Sequence, residues 1–239
     1  MHGQGRAGVP TLRTVKDTSR IDPDTFIRAV QPLLARRDVG GLCSLIKTRW
    51  SCDQVRSLLH SDTAELLDAK KVALLALSFV GTARTINDIA QELKHPDRCV
   101  NEMAEHALWS VWFRCGTEES NHELARGVQA LERRDFEHAI KHFDRAIEVS
   151  PEFAEPYNQR AIARYLTEEY AASIGDCELA VQRMPSHFGA LAGMGHCYAH
   201  LGRPREAIDC YERALAVNPH LDCVKQTIEH LRRQPSEEC

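Results

Sequence analysis

Two pairs of histidines stand four residues apart, a spacing that sets both imidazoles on one face of a helix. They are His138 with His142 and His196 with His200. Rings one turn apart could share a zinc ion, yet a structural zinc takes four ligands and Cys197 points to a different face. The first pair is expected on a solvated face, the second on a surface open to a partner. Gly193-Met194-Gly195 lacks the third glycine of a dinucleotide fingerprint and lies inside a helical pattern, so close helix packing is its expected role. His122-Glu123 is followed by Arg126 where a metalloprotease motif needs histidine. Neither a P-loop nor a Gly-x-Ser-x-Gly elbow is present. No catalytic residues, no bound metal and no cofactor are expected.

The elements that carry these residues repeat. Pro151, Pro185 and Pro219 are 34 residues apart, and four more phases follow the same register. They are Ala139/Ser173/Ala207, Phe143/Cys177/Tyr211, Ala146/Ala180/Ala214 and Gly127/Ala161/Gly195. Each unit reads as two amphipathic helices. Small residues let the helices approach, a bulky one fills the space between them, and the proline ends the second helix. Such a hairpin cannot cover its own apolar face, so stability must come from stacking.

Residues 120–219 resemble three tetratricopeptide repeats (TPR). Leu191-x-x-Met194-Gly195-x-x-Tyr198, then Ala207, Tyr211 and Pro219, follow that family's pattern. Tyr157-Asn158-Gln159-Arg160-Ala161, with Tyr170, Ala180 and Pro185, does the same one unit earlier. Departures are Glu123 in place of the opening aromatic, Cys177 in place of a ring, and Pro204 in the turn where Phe136 and Tyr170 stand in the other units. The resemblance implies a groove lined by the first helix of each unit and suited to an extended peptide or a partner helix. By phase, that groove would hold Asn121, Leu124 and Val128, then Asn158, Ile162 and Tyr165, then Ala192, His196 and His200. Asn158 would offer its amide to a peptide backbone and the apolar members would cover side chains. An alternative leaves Leu124 and Val128 merely packed on the preceding helix. Members of the family that grip acidic chaperone tails use Lys, Arg and Asn at phases that here hold Leu124, Val128, Gln159, Gly189 and Gly193, so that partner is disfavoured.

After Pro219, a stripe of Leu221, Val224, Ile228 and Leu231 ending in Arg232-Arg233 predicts a capping helix over 220–234, with a tail from 235 to 239. Residues 1–20 lack periodicity and are expected to be disordered. Asp22-Pro23 and Ser51-Cys52-Asp53-Gln54 read as helix starts. Val72, Ala73, Ala76, Leu77 and Val80 recur 31 residues later as Met103, Ala104, Ala107, Leu108 and Val111, with a short helix between. That pattern resembles HEAT repeats within a helical region 21–117, generic hairpins being the alternative. Trp109, Trp112 and Phe113 are expected as core that seats this region on the first TPR unit. The expected fold is all-α: an α-solenoid of stacked antiparallel helix hairpins, HEAT-like and then TPR, with a seam near Cys115-Gly116-Thr117.

Composition agrees with a globular chain: 239 residues, 43% hydrophobic and 27% charged, with a net charge of −4. Residues 1–117 carry 16 Lys and Arg against 13 Asp and Glu, whereas residues 118–239 carry 14 against 21. The acidic second half argues against a phosphate backbone as ligand. Nine irregularly spaced cysteines without a Cys-x-x-Cys read as reduced thiols. With no secretory signal and no span long enough for a bilayer, a cytoplasmic location is expected. The leading expectation is a non-enzymatic scaffold binding a protein or peptide, with no nucleic acid and no membrane. A metal-dependent enzyme using His and Cys, and an RNA-binding helical repeat, are the alternatives.

Overall fold

Helices begin where a side-chain acceptor meets the first free backbone N–H groups. The computed structural model describes residues 21–60 and 66–233, and among these every regular element is helical. Asp22 caps α1 (Pro23–Ala35) by accepting the Thr25 N–H at 3.0 Å, with Pro23 at the first helical position. After α2 (Val39–Arg49), Ser51 and Gln54 form a reciprocal capping box at the start of α3 (Cys52–Ser57), with bonds of 3.2 and 2.9 Å. The next elements are α4 (Leu67–Val80), the short α5 (Ile86–Glu92) and α6 (Arg98–Trp112). Helix α6 packs on both α4 and α5. A buried ion pair of 3.0 Å joins Lys70 of α4 to Glu92 of α5. The expectations for 1–20 and 235–239 lie outside the described residues.

Three stacked hairpins follow. They are α7 (Glu118–Glu132) with α8 (Phe136–Val149), α9 (Ala154–Leu166) with α10 (Tyr170–Arg183), and α11 (Phe188–His200) with α12 (Pro204–Val217). The register of small and large residues has a direct steric cause. A Cβ on Gly127 would lie 2.4 Å from the Phe143 ring, and one on Gly195 2.6 Å from the Tyr211 ring. Each ring thus lies against the backbone of the preceding helix. Helix α13 (Asp222–Arg233) closes the stack, setting Val224 and Ile228 on Ala207 and Tyr211.

The turns inside the hairpins share a device that the residue types hide. Arg134, Glu168 and Gly202 are 34 residues apart, and all three adopt the left-handed conformation, with φ of 61°, 62° and 69°. In each, the following N–H reaches back to the carbonyl five residues earlier: Asp135 to Ala130, Glu169 to Arg164 and Arg203 to Tyr198. This is the Schellman closure of a helix end. The α1–α2 turn repeats it at Arg37 (φ 55°), with the Asp38 N–H donating to the Leu33 carbonyl. Pro204, a departure in the sequence, occupies the first turn of α12, where a missing N–H costs no helix bond.

The main core runs from Phe26 and Val30 in α1 through α4 and α6, and continues into Phe188, Leu191 and Ala214 of the third hairpin. This corrects the expected seating of α6. Trp112 and Trp109 dock on the third hairpin, where Trp112 lies 5.2 Å from the Phe188 ring and stacks on His187 at 4.3 Å. Only Phe113 joins the cluster of the first hairpin, with Leu124 and Phe143. No helix among the described residues is long and apolar enough to cross a membrane. Because Trp112 is fully buried in the shared core, Trp112→Ala is expected to cost roughly 3–5 kcal/mol in urea unfolding. It is also expected to split the transition, since the two halves lose their common core; a loss below about 1 kcal/mol would contradict the shared packing.

Candidate protein-binding face

Helix α6 lies along the edge of the stack where one hairpin passes to the next. Its C-terminal end carries Phe113 and Cys115 onto Phe153 and Leu124. The middle sets Trp109 and Trp112 on His187 and Phe188. Its N-terminal part places Asn101 3.1 Å from the His220 ring, while Glu105 accepts from Asn218 at 3.0 Å. Phe153 and His187 share a phase of the 34-residue repeat, and Asn218 and His220 lie just before the same point, Leu221, one unit on. A single helix therefore touches all three junctions.

The central junction is a dry polar knot. The Glu155 carboxylate, with no exposed surface, accepts from Asn158 at 3.1 Å, Gln159 at 2.7 Å and the His187 ring at 2.9 Å. His187 Nδ1 accepts the Ala190 N–H at 3.1 Å, which makes His187 the N-cap of α11. Its proton therefore sits on Nε2 and is donated to Glu155. Full pairing offsets the cost of burying the carboxylate. Trp112 covers the imidazole, and among the described residues its Nε1 is the buried side-chain polar atom without a hydrogen bond.

The knot and α6 cover the N-terminal halves of the first helices. Leu124, Glu155, Asn158 and Gln159 are all buried, and Trp109 lies over Gly189, where an added Cβ would come within 2.7 Å of its ring. The expected groove is half filled by the chain itself. Beyond Trp109 a cavity of about 140 Å³ remains, walled by Trp109, Asn158, Ile162, Tyr165, Gly189, Gly193 and His196. Asn158, Ile162, Tyr165 and His196 are thus brought together. One N–H of the Asn158 amide is spent on Glu155, and the residue is a buried part of the cavity wall. His200 stands at the open end, 2.8 Å from the Tyr165 hydroxyl and stacked on Tyr170 at 4.9 Å.

Other expected members sit elsewhere. Asn121 ties the turn before α7, accepting the Gly116 N–H at 3.1 Å and donating to its carbonyl at 3.2 Å. Leu124 is buried in the first-hairpin cluster, with Val128 half-buried against it. Ala192 packs toward the main core and α13. Of the histidine pair expected in solvent, His142 instead is half-buried and meets Glu123 at 2.7 Å, while His138 is exposed beside Asp135. Sequence reasoning missed Trp109 as a wall of the cavity. Its only sequence signal is Gly189, a glycine within a first helix that leaves room for a ring from elsewhere.

The exposed His196 borders the cavity, with its Nδ1 2.7 Å from the Tyr211 hydroxyl. Among the described residues no group of three or more His, Cys, Asp or Glu is placed to hold a metal. The described cysteines are free thiols, and burial pushes Cys210 up to about 11.

Residues 124–188 and 189–221 match tetratricopeptide repeat profiles, and this stretch is an array of such repeats. Over 114 residues the chain is 30% identical to sperm-associated antigen 1 of the mouse, which covers 48% of this chain and 12% of that protein. It therefore spans about an eighth of that relative's length. Over 126 residues it is 30% identical to a TPR repeat-containing protein of Rhizobium etli, covering 53% and 61% of the two chains. The second TPR domain of human RPAP3, solved in complex with the HSP70 peptide SGPTIEEVD, superposes with a TM-score of 0.47 at 23% identity. That match covers 48% of this chain and 97% of the domain.

Desolvation, and then the neighbouring His200, hold the His196 pKa below the ordinary imidazole value of 6.5. As pH falls, the unfolded chain binds the proton first, so this histidine's contribution to stability is full above that value and is lost below it. His196→Asn is expected to flatten the stability slope on the acid side of roughly pH 6.5, read from urea midpoints at several pH values. An unchanged slope would contradict the lowered pKa.

Proposed function

We propose that the chain is a non-enzymatic interaction module whose open repeat face holds a segment of a partner protein by one apolar side chain. Gly193 carries this reading. It lies in the middle of α11, where glycine costs about 1 kcal/mol relative to alanine, and no close neighbour demands it. An added Cβ would meet only Cys177 Sγ at 3.5 Å, an ordinary contact. The missing side chain opens the cavity beside Trp109. An apolar space of roughly 150 Å³ holds a benzene ring, so about 140 Å³ suits one ring or one leucine. Exposed Ile162 and Leu166 extend the apolar strip along α9.

The chaperone peptide bound by the RPAP3 domain, SGPTIEEVD, carries three acidic residues in its last four positions. This chain offers no cation at the matching phases. Leu124 and Gln159 are buried, and Trp109 occupies the space over Gly189. An apolar guest is therefore favoured over an acidic tail. The HEAT-like reading of residues 21–117 rests on the 31-residue recurrence and on α4 and α6 packing together with the short α5 between them.

The test is selection of peptides from a random library against the full chain, followed by titration. Selected peptides are expected to share one Phe, Tyr or Leu, and SGPTIEEVD is expected not to bind. Gly193→Ala is expected to raise stability by about 1 kcal/mol while weakening the selected peptides about tenfold. Unchanged affinity in Gly193→Ala, or tight binding of the acidic peptide, would reject the reading.

A further inference from the structure

The repeat supplies an internal template for a second site on α10, α11 and α12, which shares no residue with the Trp109 cavity. In the second hairpin, Arg160 of α9 bonds the Asp176 carboxylate twice, through Nε at 2.9 Å and Nη2 at 2.6 Å. Its Nη1 bonds Asp144 of α8. Arg164 adds a bond of 2.7 Å to Asp176, so guanidinium groups close the seam between successive hairpins.

One repeat later, the residues at these phases are Met194 for Arg160, Tyr198 for Arg164, Cys210 for Asp176 and Glu178 for Asp144. The cations are gone and one carboxylate is kept. The seam is an open cleft of about 620 Å³, lined by these four residues with Asp209 and two arginines of α12, Arg205 and Arg213, among others. Arg213 stands 3.8 Å from Asp209, its own neighbour along α12. Glu178 is exposed and, among the described residues, has no hydrogen-bond or ion-pair partner. The Tyr198 ring already serves as a platform for a guanidinium, with Arg203 lying 4.7 Å from its centre.

We propose that this cleft receives an arginine side chain from a partner protein, with the guanidinium on Glu178 and the aliphatic stem over Met194. The template specifies what fits, because the same seam one repeat earlier is filled by that side chain in cis. Arginine is specified over lysine because Arg160 there grips one carboxylate with a planar bidentate fork while its third nitrogen reaches another, a geometry an ammonium lacks. Glu178 plays the part of Asp144, and Asp209, next to Cys210, supplies the second carboxylate.

The probe is an end-capped hexapeptide whose one charged residue is an arginine, compared with lysine and alanine versions, titrated into the full chain by amide NMR. Saturable shifts are expected at Glu178, Tyr198 and Cys210 with the arginine peptide, and none with the alanine peptide. Glu178→Gln is expected to weaken binding by about fivefold. Glu178→Arg, at an exposed position, is expected to abolish those shifts while leaving the thermal midpoint unchanged. Equal shifts from the arginine and alanine peptides would overturn the proposal. So would equal affinity for the lysine peptide, or an unaltered affinity in Glu178→Gln.

Discussion

The seating of Trp112 on the imidazole of His187 is the contact on which the rest of the molecule depends. It joins the core of the N-terminal helices to the third hairpin. It also seals the Glu155 carboxylate from water, and the resulting dry environment strengthens the bonds that Glu155 accepts. His187 is fixed from both sides, by the ring above it and by its acceptor role at the start of α11. Helix geometry, core continuity and the shape of the open face all follow from that one seat.

The face has two unlike halves as a result. Where α6 lies against it, the first helices are closed over and their polar groups are satisfied internally. Past Trp109 the same helices present Ile162, Tyr165, Leu166 and His196 with little in front of them. A repeat array ordinarily offers a concave surface along its length. Here the chain's own helix leaves only the C-terminal stretches of α9 and α11 open beside the cavity.

The hairpins were legible in the sequence because their register has a local cause. A ring at 143 or 211 needs a glycine at 127 or 195, and those pairs are only 16 residues apart. The turns were not legible, because Arg134 and Glu168 take a conformation usually signalled by glycine and carry no mark of it. The seating of α6 was illegible for a different reason. Its partners lie as far as 119 residues away, and an amphipathic pattern states that a face is buried without naming what buries it. Four of the nine expected groove residues line one cavity with His200 at its open end, and the others are held elsewhere by their own contacts. Asn121 was drawn into the turn that launches α7, and Leu124 was covered by the end of α6.

Because α6 meets the junctions at Phe153, His187 and Asn218 in turn, it acts as a ruler for the array. A duplicated 34-residue unit would carry the Asn218 and His220 partners past Asn101 and Glu105, with no turn of α6 left to receive them. Repeat proteins commonly lengthen by copying a module. In this chain the number of modules is tied to the length of a helix that lies outside the array, so one cannot change without the other.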